Sequence, residues 1–207
     1  MISYALEAAA ESKLFDKIHV STDSDDICKV VETLGFPVDF KRIPELADDF
    51  IGLAPVLRWV LDQYRLRGDC FQQVCCIMPS APLIDSRDLI SAFDIFAQQE
   101  GRYPLLVFAK FPVPIEWAFH FNEDGMMTAV SPKNLTMRSQ DLGHSYYECG
   151  PFTIWRPEHL ANDNPLTKKV LPFILPAERA VDIDTPEDLA YAERLYRLSN
   201  NILMAPS

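Results

Sequence analysis

The chain has 207 residues, 48% hydrophobic and 24% charged, which suits one domain with a full core, and no apolar run approaches the length of a membrane span. Acidic residues outnumber basic ones by 30 to 19, for a net charge of -11, which argues against a broad nucleic-acid footprint. A nucleotide phosphate can still be held by such a protein through local amides, a few cations and Mg²⁺.

The first residues lack the basic-then-apolar layout of a signal peptide. The five cysteines are odd in number and show no C-x-x-C spacing, so they read as reduced thiols in a cytoplasmic protein.

In chain order, residues 2–12 predict a helix, with Ile2, Ala5, Leu6 and Ala9 on one side. Residues 17–21 predict a short strand in which Ile18 and Val20 alternate with His19. A capping loop follows, and then a helix with Ile27, Val30, Val31 and Leu34 at helical spacing, stopped by Gly35. Residues 36–40 predict a second strand, and the strand–helix–strand rhythm argues for parallel pairing. After a charged loop that includes Arg42, Asp48 and Asp49, Pro55 opens a helix with a core face of Val56, Trp59, Val60 and Tyr64.

Residues 73–78 predict a buried strand, apolar on both faces, broken at Pro79-Ser80-Ala81-Pro82. Asp85 or Ser86 caps a helix running to Gln99, and residues 105–109 predict another buried strand. Prolines 112 and 114 then exclude a central strand, and residues 116–130 predict a hairpin about Asn122-Glu123-Asp124-Gly125, within a β-rich excursion reaching about Tyr147. A strand over 149–155, a helical turn over 156–161 and a lead-in over 170–175 complete the sheet. Residues 199–207 read as a loosely held tail.

The stretch Val181-Asp182-Ile183-Asp184-Thr185-Pro186-Glu187-Asp188 carries the chemistry. Asp182 and Asp184 alternate about an apolar residue, which at a strand end sends both carboxylates to one face, a pair able to hold a hard cation such as Mg²⁺. Thr185 then caps a helix, with Pro186 at its first position and Glu187 and Asp188 at its positive end. The alternative is a plain strand-to-helix corner with solvated aspartates. The four histidines form no triad, and no residue stands out as a general base.

Several separated segments match one family. They are Val20-Ser21-Thr22-Asp23, Phe40-Lys41-Arg42, the Glu45 to Phe50 run, Ala81-Pro82-Leu83-Ile84, Phe111-Pro112-Val113-Pro114-Ile115, Arg138-Ser139-Gln140-Asp141-Leu142, Tyr146-Tyr147-Glu148-Cys149-Gly150 and Asp182-Ile183-Asp184-Thr185-Pro186. Together they resemble the cytidylyltransferases that activate nine-carbon acidic sugars, most closely the pseudaminic acid branch. The resemblance implies an α/β fold, a Rossmann-like (GT-A-like) nucleotidyltransferase three-layer sandwich in one domain over 1–207, with a β-rich dimerisation arm at about 111–147.

It also implies transfer of CMP from CTP to pseudaminic acid or a related nonulosonic acid, with release of pyrophosphate, for surface glycan synthesis in the cytoplasm. By position, Asp182 and Asp184 would hold Mg²⁺, Arg42 and Ser80 would face the nucleotide, and Arg138, Gln140, Asp141 and Tyr146 would face the sugar. An arginine can take a sugar carboxylate in a bidentate grip. The alternatives are a solvated loop arginine at 42, a turn serine at 80, a salt-bridged arm at 138–141 and a packing role for Tyr146. A homodimer is expected, with no nucleic acid or membrane partner.

Two other readings stay open: the same chemistry on N-acetylneuraminic acid, against which Met78 argues because that branch tends to carry glutamine there, and a catalytically impaired, binding or dimerising homologue. The second arises because Met1 aligns just after the family's first strand and its glycine-rich, cationic phosphate loop. Without them a vacancy is expected in the sheet, with exposed strand edges.

Overall fold

The computed structural model describes residues 1–48, 50–161 and 169–199. Asp49 and all but the first residue of the expected tail lie outside the described residues.

Helix α1 (Ile2–Ser12) buries Ala5, Leu6, Ala8 and Ala9, small side chains that let it lie close against α4 (Ser86–Gln98). It ends at Lys13, which takes the left-handed conformation at φ 55° and donates its amide to Ala10 O. The start of α4 is fixed by Asp85, whose carboxylate accepts from the Arg87 and Asp88 amides while the Asp88 carboxylate accepts from the Asp85 amide. This reciprocal cap satisfies donors that a helix start leaves orphaned.

The main sheet has the order β1-β5-β2-β6, built from β1 (Val74–Ile77), β2 (Leu105–Lys110), β5 (Tyr146–Trp155) and β6 (Leu171–Leu175). β6 runs parallel to β2, and β5 runs antiparallel to β1 and β2, so the carboxyl ends of β1, β2 and β6 gather on one side. Alternate residues of β2 serve different faces, as the strand period requires. Leu105, Val107 and Ala109 pack with Leu89, Ala92 and Phe96 of α4, whereas Leu106 and Phe108 pack with Ala54 and Leu57 of α3 (Leu53–Leu66). The result is the expected three-layer arrangement. Its largest fully buried side chains include Phe96 and Phe152, each removing on the order of 2–3 kcal/mol of apolar surface from water.

The first third of the chain departs from expectation. Residues 17–21 and 36–40 form no strand and join no ladder, and the backbone bends at Asp39 and Phe40. They are tied instead by Lys17 Nζ to Asp39 at 2.7 Å, by the Arg42 amide donating to Thr22 O at 2.8 Å, and by ring contacts among His19, Phe40 and Tyr64. The physical reason lies beside them. Among the described residues β1 pairs only with β5, and a gap of about 360 Å³, lined by Leu14, Phe15, Lys17, Phe71, Gln73 and Cys75, separates β1 from the 14–17 segment. Among the described residues no strand stands between the two to complete a ladder, and β1 itself is only half-buried rather than covered on both faces. Helix α2 (Asp25–Thr33) shares the consequence: Val31 is buried, but Ile27 and Val30 stay 42% and 52% exposed.

Beyond β2 the hairpin forms from β3 (Phe119–Phe121) and β4 (Met127–Ala129), turned by Asn122, whose side chain accepts from the Asp124 and Met126 amides. The rest of the arm is 3-10 turns and loops more than strand. Helix α5 (Pro186–Ser199) is the last described element and, among its residues, buries Ala192. All five cysteines are free, and burial pushes the Cys76 and Cys149 thiols up to about 11, which keeps them protonated and unreactive. No described helix is long and apolar enough to cross a membrane.

Candidate active site

A cleft of about 180 Å³ opens at the carboxyl end of β1. Its lining brings together Ser80 and Ala81 from the loop after β1, Glu148 to Pro151 of β5, and Val181 and Asp182 from the segment beyond β6. Crevices at the carboxyl ends of strands are where open α/β sheets bind ligands.

The central part of the cleft depends on an irregularity in β5. The register against β2 jumps between Leu106 and Phe108, which face Thr153 and Glu148, so β5 carries extra residues there. Gly150 takes φ 67°, a conformation that disfavours other residues, and Pro151 contributes no amide but accepts from the Met78 N–H at 2.9 Å. The bulge exposes Glu148 toward the cleft. Burial first, then the charge of Asp182, raise the Glu148 carboxyl above its usual value.

Asp182 and Asp184 are both exposed and flank half-buried Ile183, so the alternation read from the sequence is present although no regular strand contains them. Neither forms a salt bridge among the described residues. The corner that follows is a capping box: Thr185 Oγ1 accepts from the Asp188 amide at 3.2 Å, and Asp188 Oδ2 accepts from the Thr185 amide at 2.9 Å. Asp188 also accepts from the Asp184 amide at 3.3 Å, fixing the backbone that carries the pair.

These features fit a Mg²⁺ ion. Two accessible carboxylates without a cation partner offer the hard oxygen ligands that it prefers, and it commonly takes only one or two protein carboxylates, substrate phosphates supplying others. No group of three or more His, Cys, Asp or Glu side chains among the described residues makes an all-protein metal cage.

The structure therefore brings Ser80 and Asp182 to one cleft, with Asp184 two residues further on. Arg42 does not line it. Its guanidinium donates to the carbonyls of Ser21 at 2.8 Å and Leu46 at 3.4 Å, its Nε is buried without a partner, and its charge lowers the neighbouring Cys76 thiol against the effect of burial. Arg138, Gln140 and Asp141 stay exposed around a 3-10 turn of the arm, outside the cleft lining. Tyr146 opens β5 two residues before Glu148 and shares its exposed side, while Tyr147 between them packs on Phe111.

Glu148 was not among the sequence candidates. The signal that points to it is Gly150-Pro151 inside an apolar strand, a pair that marks a bulge.

With this geometry in place, the comparisons decide the family. The cytidylyltransferase family model matches residues 1–205. This chain belongs to the cytidylyltransferase family. Among its relatives is the pseudaminic acid cytidylyltransferase of Campylobacter jejuni, 29% identical over 201 residues, spanning 97% of this chain and 86% of that protein. The post-translational flagellin modification protein B of Campylobacter coli is 32% identical over 206 residues, spanning 97% of this chain and 85% of the relative. This cytidylyltransferase also shares its fold with a solved CMP:2-keto-3-deoxy-manno-octonic acid synthetase complexed with CTP, at a TM-score of 0.68 and 14% identity over 96% of this chain and 88% of that one.

Proposed function

We propose that this cytidylyltransferase transfers CMP from CTP to pseudaminic acid or a closely related nonulosonic acid, releasing pyrophosphate, as a cytoplasmic step in surface glycan synthesis. Within the family match, the observation that carries the reading is Ser80 and Asp182 lining one cleft at the carboxyl end of β1. The names of the relatives support the choice of sugar.

In this reading the sugar hydroxyl attacks the α-phosphorus of CTP and pyrophosphate leaves. Asp182 and Asp184 hold Mg²⁺, which when bound neutralises phosphate charge as the leaving group departs. The chain itself supplies position: Ser80 on the nucleotide side, and Tyr146 with Arg138, Gln140 and Asp141 in the arm toward the sugar. Alignment accounts for much of the acceleration, because in-line displacement asks for little covalent work from the protein.

The arm is proposed to pair two copies. Phe119, Phe121 and Met127 share one face of the hairpin by its register and are each at least half exposed, an apolar face that a partner arm would cover.

A second reading, a sugar-binding or dimerising homologue without turnover, draws on two observations. Among the described residues no lysine or arginine lines the cleft to balance a triphosphate, and β1 has an open edge. Pyrophosphate release from CTP and Mg²⁺, measured with pseudaminic acid and N-acetylneuraminic acid as acceptors, separates the readings. Release with pseudaminic acid and little with N-acetylneuraminic acid supports the first; saturable sugar binding without release establishes the second.

A further inference from the structure

The segment that carries Asp182 and the loop that carries Ser80 are about a hundred residues apart and follow strands on opposite edges of the sheet, β6 and β1. One side chain joins them. Arg179, in the 3-10 turn Ala177–Arg179 just before Asp182, donates Nε and Nη2 to Leu83 O at 3.1 and 2.8 Å, and Nη1 to Asp88 Oδ1 at 2.9 Å. Its Nη2 also reaches Asp88 Oδ2, and Asp85 lies at 3.7 Å. The Asp88 side chain is only 9% exposed, and it simultaneously caps α4 through the Asp85 amide.

We propose that Arg179 is a positioning residue of the cleft: its guanidinium fixes the Ser80 loop relative to the Asp182–Asp184 segment, so that a nucleotide at Ser80 and a cation at Asp182 are registered. The inference rests on the proposed function of the cleft. A role confined to capping α4 does not account for the bonds to Leu83 O, because Asp85 and Asp88 complete the helix cap between themselves. The planar fork takes carbonyl and carboxylate together, which a lysine ammonium, a flexible point charge, does not reproduce. Ala81, Ile84 and Ala180 are all buried beside it, so the two backbones are packed together as well as bonded.

The test is the thermodynamic coupling between nucleotide and metal, because an effect of one ligand on the other must be reciprocal. Mn²⁺ serves as the probe, its affinity read by electron paramagnetic resonance with and without CTP, beside the thermal midpoint of each variant. In the wild-type chain CTP is expected to raise Mn²⁺ affinity about tenfold, a coupling of ordinary size. Arg179→Gln should abolish that enhancement while leaving the affinity for Mn²⁺ alone within about twofold, and Arg179→Lys should restore little of it.

Phe96→Leu, in the core on α4, provides a variant that loses stability without touching the cleft; its coupling should survive. Coupling retained in Arg179→Gln, or lost equally in Phe96→Leu at a similar thermal midpoint, would overturn the positioning role alone. Absence of coupling in the wild-type chain would overturn the cleft assignment and this inference with it.

Discussion

The imidazole of His19 stacks on the ring of Phe40, centroids 4.4 Å apart and planes 29° from parallel. Both ring nitrogens are buried without a hydrogen-bond partner. Burial disfavours the imidazolium and lowers the pKa from 6.5 to about 4, with Lys17 and Arg67 adding to the effect and Asp39 opposing it. In the unfolded chain the same group takes up its proton near pH 6.5, so its stabilising contribution is present above that pH and is lost as pH falls toward 4. The loss should be on the order of 2 kcal/mol once screening of this part-exposed ring is allowed for. Urea unfolding at pH 7 and pH 4.5 checks it, and His19→Gln should flatten the difference.

If Asp182 and Asp184 hold Mg²⁺ as proposed, Asp184→Asn and Asp182→Asn should each reduce metal-dependent turnover by about 100-fold or more, through loss of a charged oxygen ligand. Both side chains are exposed, so thermal stability should change little, within about 0.5 kcal/mol. Steady-state rates over a Mg²⁺ titration, beside thermal melts, provide the check. Unchanged rates would remove the pair from the metal site.

The thiols should react in order of access. Cys70 is exposed, Cys28 half-buried, and Cys75, Cys76 and Cys149 have pKa values raised by burial. A thiol-reactive dye should modify Cys70 first and Cys28 next, and the other three only when the chain unfolds. Peptide mapping of a time course distinguishes this from uniform labelling.

The arm and the core should separate association from stability. Phe121 is 70% exposed on β3, whereas Phe152 is fully buried between the sheet and α4. Phe121→Ser should weaken self-association with little change in the unfolding midpoint of the monomer. Phe152→Ala should cost about 3–5 kcal/mol by leaving a cavity. Light scattering and denaturant titration read the two effects independently.

What the sequence displayed was whatever a local physical rule governs. The cap at Asp85, one of the two residues the sequence offered, the Asn122 turn and the Thr185 cap each depend on residues within a few positions of one another, and each is found where the pattern put it. Residues 17–21 and 36–40 have strand composition, but a strand exists only through a neighbour's ladder, and β1 lies across a gap from the first of them. Helical spacing correctly identified α2, yet only Val31 of its apolar positions is buried, because periodicity reports which face is apolar and not what covers it. Within the cleft, Ser80 was legible as a residue following a strand and Asp182 as one of an alternating pair before a helix, although the strand expected to carry that pair ends at Leu175. Glu148 depends on a bulge and Arg179 on partners 91 and 96 residues away, relations that no local spacing contains.

The central claim is the formation of a CMP–sugar bond from CTP, and phosphorus NMR of the reaction mixture observes it directly. With the chain, CTP, Mg²⁺ and pseudaminic acid, the account predicts that the triphosphate resonances decline while pyrophosphate and a CMP phosphodiester signal rise in equal amounts, and that chelation of Mg²⁺ stops the change. Intact CTP after prolonged incubation with folded protein, whichever nonulosonic acid is supplied, would contradict it.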